Sequence, residues 1–189
     1  MLTAQSINME ATHFADTQKR LYVVGQVIIC SFLIALCSQI RIPLFFTPVP
    51  ITLQTFAVLL VGAMLGSRKG ALAVVLYLTE TTFGLPFLSG GRSDPLALVS
   101  PVGGYLLGFV FQAYLAGWFA ERQARLGNGI VFAGMLISSA VQLMMGGAWL
   151  AYYVGWSHML LLGILPFVPG ELVKIMVATT ILNRNGVKA

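Results

Sequence analysis

Twenty consecutive residues, Leu21 to Ile40, carry no charged side chain. At about 1.5 Å of rise per residue, such a run spans a ~30 Å hydrocarbon core as one helix. The pattern recurs along the chain: the 189 residues are 58% hydrophobic and only 9% charged, with mean hydropathy +0.87, where water-soluble domains are about a quarter charged. Eleven Lys and Arg and six Asp and Glu cannot cover the surface of a globule this size, so much of that surface faces lipid. The expected fold class is all-α, a polytopic membrane protein.

Six apolar spans are expected, in one membrane domain over residues 1–189. Residues 1–18 are mixed and polar, with Glu10, His13 and Asp16, and they lack the pattern of a signal peptide, so a retained cytoplasmic tail is expected. Span one is Leu21–Ile40. Span two, Leu53–Gly66, is short and must borrow from the Pro-rich stretch RIPLFFTPVPIT before it. Spans three to six are expected near Ala71–Leu88, Val102–Ala120, Ile130–Tyr152 and His158–Leu182. Cys30 and Cys37 are seven residues apart on span one, about 10 Å along a helix and too far for a disulfide.

Orientation follows from the cations, which cytoplasmic loops retain. Lys19, Arg20, Arg68, Lys69, Arg122, Arg125, Arg184 and Lys188 fall on one side, whereas the other has only Arg41 and Arg92. Both termini are therefore predicted cytoplasmic. The formal charge of +5 is scattered in pairs rather than gathered on one face, which argues against a nucleic-acid partner.

Three ionisable side chains remain inside predicted spans: Glu80, Glu171 and Lys174. A charge near the bilayer centre costs about 2.5–3.5 kcal/mol on insertion scales, so such residues face a protein interior or cavity and mark ligand or ion paths. Counted from the inner boundary, Lys174 and Glu80 lie roughly 14 and 16 Å deep, near the midplane. Glu171 and Lys174, at i and i+3, share a helix face. They follow ILPFVPG, whose prolines and glycine interrupt a helix as binding sites in membrane proteins often do. A self-neutralised structural pair fits the same residues, as does a Glu80–Lys174 contact, and Glu80 also fits a neutral structural carboxyl.

The outer segment LSGGRSDPLALVSP, residues 88–101, is too apolar in its second half to lie free in water and is expected to fold over the outer mouth as a lid, with Gly90 and Gly91 giving it freedom. Arg92 within it can clamp a carboxylate or anchor at headgroups. Gln54 is a candidate amide contact. Gly103, Gly104 and Gly108 fit close helix packing as well as ligand approach, as do Ser31 with Ala35 and Ala113 with Gly117. No phosphate-binding GxxxxGK[ST] loop, HExxH, Cys cluster, carboxylate cluster or GxSxG elbow occurs, so no metal, cofactor or catalytic residue is expected.

The strings TPVPITLQ (47–54), GLPFLSGG (84–91), SPVGGYLLGF (100–109) and PFVPGELVK (166–174) resemble the BioY family, in order and with matching spacing. That family comprises substrate-capture (S) components of energy-coupling factor transporters for biotin in prokaryotic cell membranes. The resemblance implies a six-helix membrane fold that captures biotin from outside, driven by two cytoplasmic ATPases through a transmembrane coupling subunit, though some members are thought to work alone. Three positions depart from the family pattern: Glu171 where Asp is usual, Arg92 where a polar residue, often Asn, follows the Gly-Gly pair, and Leu106 where some members have Arg.

Biotin presents a ureido ring, an apolar thioether body and a valerate carboxylate. On this resemblance, Glu171 accepts a ureido N–H and Lys174 donates to the ureido carbonyl. Arg92 and Gln54 hold the carboxylate, and Tyr105, Phe87 and Trp149 enclose the ring system. The reversed pose is the alternative. Ser31 and Ala35 are expected to contact the coupling subunit. A self-sufficient carrier using Glu80, and a small enzyme using His158 or Glu80, are the functional rivals, along with a scaffold that binds nothing.

Overall fold

The computed structural model describes residues 2–123, 127 and 129–185. Arg125 and Lys188, two of the cations used for orientation, lie outside the described residues. The fold is built from helices α1 (Leu2–Gln39), α2 (Gln54–Leu65), α3 (Ser67–Thr82), α4 (Gly103–Ala120), α5 (Gly129–Val154) and α6 (Val168–Asn185). The first helix does not stop at the edge of the apolar run but continues through the polar N-terminal stretch.

Among the described residues, two helical segments are long and apolar enough to cross a membrane, Asp16–Gln39 and Gly129–Val154. A third qualifies if Trp156–Ile164 and Val168–Arg184, bent by 42°, count as one span. That bend falls at Pro166, where the ring removes a backbone donor. Before it, Met159–Ile164 forms a wide π-type turn. Helix α2, with 12 residues, is only about 18 Å long. It does not extend back into the Pro-rich stretch as the expected span two required. Instead β1 (Arg41–Ile42) and β2 (Ile51–Thr52) pair antiparallel there, because Pro43, Pro48 and Pro50 withhold the donors a helix needs.

Small residues decide how closely the helices approach. A Cβ on Gly62 of α2 would sit 2.4 Å from the Ala113 carbonyl oxygen of α4, and one on Gly117 would sit 2.4 Å from the Ser67 amide. On α4, a Cβ at Gly104 would meet the Trp149 side chain at 2.2 Å, and one at Gly108 would meet Gln142 at 3.2 Å. These glycines therefore serve helix packing against α5 rather than ligand approach. One buried cluster joins Ile34 and Ala35 of α1 to Val58 of α2, Val74 and Tyr77 of α3, and Phe109 of α4.

Burial within that cluster corrects the expectation for Ser31 and Ala35. Ser31 is fully buried, and its hydroxyl donates to Ile28 O at 2.9 Å and to Glu80 Oε1 at 3.2 Å; Ala35 is 4% exposed. Ser31 and Ala35 are thus packed against the chain's own helices rather than presented on the outer surface of α1. The side of α1 left open bears Leu21, Tyr22, Ile29 and Leu36, all more than half exposed, as lipid contact requires. Cys30 and Cys37 are both free.

Candidate functional site

Glu171 lies in the first turn of α6, just past the bend, where the helix dipole favours a negative charge. Only 4% of it is exposed. An isolated buried carboxylate is costly, and here several groups answer it. Lys174 Nζ sits 2.7 Å from Oε1, the Thr55 hydroxyl donates to the same oxygen at 2.5 Å, and Ser139 donates to Oε2 at 3.3 Å. Lys174 also donates to Thr55 Oγ1 at 2.7 Å, and Gln112 Nε2 donates to Ser139 at 3.0 Å. The expected Glu171–Lys174 pair therefore exists, and it ties α6 to α2, α4 and α5.

Beside this network is a small cavity of about 40 Å³, lined by Glu171, Lys174, Thr55, Gln142, Tyr105, Phe109 and Phe167 among others. A larger cavity of about 510 Å³ shares Val49, Pro50, Thr52, Tyr105 and Phe109 with it. The two are neighbouring compartments with a common aromatic wall, and the larger has the size of a small-molecule site. Gln54, 3% exposed, borders the larger cavity; its Nε2 is buried without a hydrogen-bond partner, and its amide lies beside the Tyr77 hydroxyl. Arg92 lines the same cavity from the outer segment and donates from Nε to Ser89 O at 3.4 Å. Leu106 also lines it. Tyr105 is a wall of both compartments, its hydroxyl spent on Gly163 O at 2.6 Å.

The segment from Leu88 to Val102 borders the larger cavity, contributing Leu88, Ser89, Arg92, Asp94, Ala97 and Ser100 to its lining. It is tied down in several places. Leu88 and Arg92 pair across a turn in which Gly90 and Gly91 take φ of 79° and 70°, a region that other residues rarely occupy. Trp149 Nε1 donates to Ser100 O at 3.0 Å, and the Tyr153 hydroxyl donates to Val99 O. Trp149 is thus a latch on this segment rather than a cavity wall. Phe87, also expected around a ligand, packs edge-on against Phe32 at 5.4 Å and lines neither cavity.

The aromatic wall belongs instead to Tyr105, Phe109 and Phe167, with Tyr105 and Phe167 centroids 5.9 Å apart. Phe109, Phe167, Thr55, Ser139, Gln112 and Gln142 were not singled out by sequence reasoning. The neutral polar residues did leave a signal, since VFQAY and ISSAVQL place amides and hydroxyls inside apolar runs. Glu80 lines neither cavity; one oxygen accepts from Ser31 between α3 and α1, and the other is buried without a partner.

Apolar helices around a buried ion pair, with two adjoining cavities beside it, define an α-helical membrane protein with room for a small molecule among its helices. The BioY family model matches residues 9–187, and the chain belongs to that family. It is 35% identical over 159 residues to a biotin transporter BioY of Rhizobium etli, covering 78% of this chain and 83% of the relative. It is 37% identical over 163 residues to a biotin transporter BioY of Rhodobacter capsulatus, with the same two coverages. The fold matches the crystal structure of the S-component for biotin from an ECF-type ABC transporter with a TM-score of 0.80, at 24% identity over 88% of this chain and 92% of that one. These relatives are transporters, and the family is one of transporters rather than enzymes.

Proposed function

We propose that the chain is the biotin-capturing S component of a vitamin importer in a prokaryotic cytoplasmic membrane. It would cross the bilayer six times as one domain over residues 1–189, with both termini cytoplasmic, and hand biotin to a transmembrane coupling subunit driven by two cytoplasmic ATPases. Family membership and the names of the relatives support the substrate. The fold shared with a biotin S-component supports the coupling mode. The orientation rests on the distribution of lysine and arginine.

The observation that carries the reading is the Glu171–Lys174–Thr55 network at the inner end of two adjoining cavities. In the proposed pose the ureido ring meets this end, where Glu171 accepts an N–H and Lys174 donates to the carbonyl. The bicyclic body packs on Tyr105 and Phe109. The valerate runs outward to Gln54, whose spare amide hydrogens suit a carboxylate, and to Arg92, whose guanidinium offers a fork. Capture requires the Leu88–Val102 segment to open and re-latch on Trp149 and Tyr153.

Mass spectrometry of small molecules released from the natively purified protein tests the substrate. Unmodified biotin in near-stoichiometric amount is expected; its absence from protein purified out of biotin-replete cells would overturn the proposal.

A further inference from the structure

A second open groove of about 510 Å³ lies at the opposite end of α4 from the Leu88–Val102 segment, where α3 begins and α4 ends. Three cations converge on it from two elements: Arg68 and Lys69 from the first turn of α3, and Arg122 just after α4. Its one carboxylate is already committed. Glu121 Oε1 accepts from the Ser67 amide at 2.7 Å and from the Ser67 hydroxyl at 3.0 Å, and Oε2 accepts from the same hydroxyl at 3.2 Å. Among the described residues neither Arg68 nor Lys69 has an ion-pair partner. Both sit at the positive end of the α3 dipole, a position that favours anions. The groove is left with two positive charges more than negative ones.

The wall provided by α4 has its own order. Tyr114, Trp118 and Arg122 follow at i, i+4 and i+8, a single stripe along the helix. The Arg122 guanidinium lies 3.5 Å from the Trp118 ring centroid and donates to Trp118 O at 2.8 Å. Continuing away from the cations, the next positions on these faces are Leu72, four residues after Arg68, and Phe111, three before Tyr114; they are 56% and 53% exposed. The lane between α3 and α4 is therefore basic at its end, then aromatic, then apolar. A phosphodiester headgroup with its acyl chains has the same order.

We propose that this groove is a binding site for an anionic phospholipid. The phosphate meets Arg68, Lys69 and Arg122, the glycerol rests on the Trp118 shelf, and an acyl chain runs along Leu72 and Phe111. Placement in the inner leaflet follows the orientation proposed above, whereas lipid binding itself is independent of the biotin reading.

Native mass spectrometry of the full chain, delipidated in detergent and titrated with phosphatidylglycerol or phosphatidylcholine, tests it. Phosphatidylglycerol is expected to bind preferentially, and R68Q/R122Q to weaken that binding about 25-fold, from about 5-fold per cation near an anionic surface. Phosphatidylcholine binding should stay unchanged. R184Q, which removes a cation outside the groove, should keep the preference, and W118L should weaken both lipids alike.

Equal affinity for the two lipids overturns the site, and so does an equal loss in R184Q, which would mean diffuse attraction. Displacement of phosphatidylglycerol by glycerol 3-phosphate would make this a free-phosphate site and overturn the lipid assignment. If R68Q/R122Q does not fold, wild type in rising salt takes its place. The preference must then shrink as the cations are screened, and a salt-insensitive preference refutes the proposal.

Discussion

Replacing Lys174 by Met keeps an unbranched side chain only one atom shorter and removes its charge. The ammonium lies 2.7 Å from both Glu171 Oε1 and Thr55 Oγ1, while Glu171 is almost fully buried. Without it the carboxylate retains only the Thr55 and Ser139 hydroxyls. Breaking a buried pair from one side costs about 3–5 kcal/mol, most of it the uncompensated charge left behind. Chemical denaturation in detergent should register that loss in K174M. The double variant E171Q/K174M buries no charge and should recover to within about 1.5 kcal/mol of wild type, the range for substitutions that conserve volume.

Calorimetry with biotin then separates a structural pair from a ligand-reading one. If the pair touches the vitamin, the stable double variant still binds at least 10-fold more weakly than wild type, the equivalent of about one lost hydrogen bond to a charged group. Wild-type affinity in the double variant would reduce Glu171 and Lys174 to scaffolding, and wild-type affinity in K174M would refute the reasoning outright.

Loosening the Leu88–Val102 segment should act on release more than on capture. Trp149→Phe deletes the bond to Ser100 O, and stopped-flow release of biotin should accelerate about 2–10-fold, as expected for one hydrogen bond; an unchanged rate would deny Trp149 its role as a latch. Gly62→Val places new atoms against the Ala113 carbonyl and should destabilise the protein by about 1–3 kcal/mol in denaturant titrations, without altering affinity in the folded fraction. Glu80→Gln should leave biotin affinity and coupled uptake unchanged, because Glu80 lines neither cavity. Loss of uptake with intact binding in that variant would favour a self-driven carrier with Glu80 as its proton site.

The Glu171–Lys174 pair was legible in the sequence because charge is so scarce that two ionisable residues one turn apart, behind a proline pair, have few alternative explanations. That the segment after Leu88 is irregular yet packed against the fold was legible for a related reason: Gly90, Gly91 and Pro95 break a helix, yet Leu96, Ala97 and Leu98 are too apolar for open water. Rotational detail was not legible. Ser31 and Ala35 have a spacing that permits close approach by any helix, and only the packed fold reveals that α3 is the one that uses it. Phe87 and Trp149 are as apolar as Phe109 and Phe167, and which ring faces the cavity depends on turns of a few tens of degrees about each helix axis.

Thr55, Gln112, Ser139 and Gln142 were overlooked because neutral polar residues are common enough in spans to carry little information singly. Their meaning lies in their placement from three helices around Glu171: Thr55 and Ser139 bond it, Gln112 backs Ser139, and Gln142 lines the adjoining small cavity. The two-residue strands at 41–42 and 51–52 are too short to show a period of two.

The most direct measurement is a structure of the protein saturated with biotin. It should place the ureido ring within hydrogen-bonding distance of Glu171 and Lys174, with the valerate directed toward Gln54 and Arg92 and the Leu88–Val102 segment closed over it. Density for the vitamin elsewhere in the fold, cavities left vacant at saturating biotin, or a valerate carboxylate seated on Lys174 would contradict that arrangement.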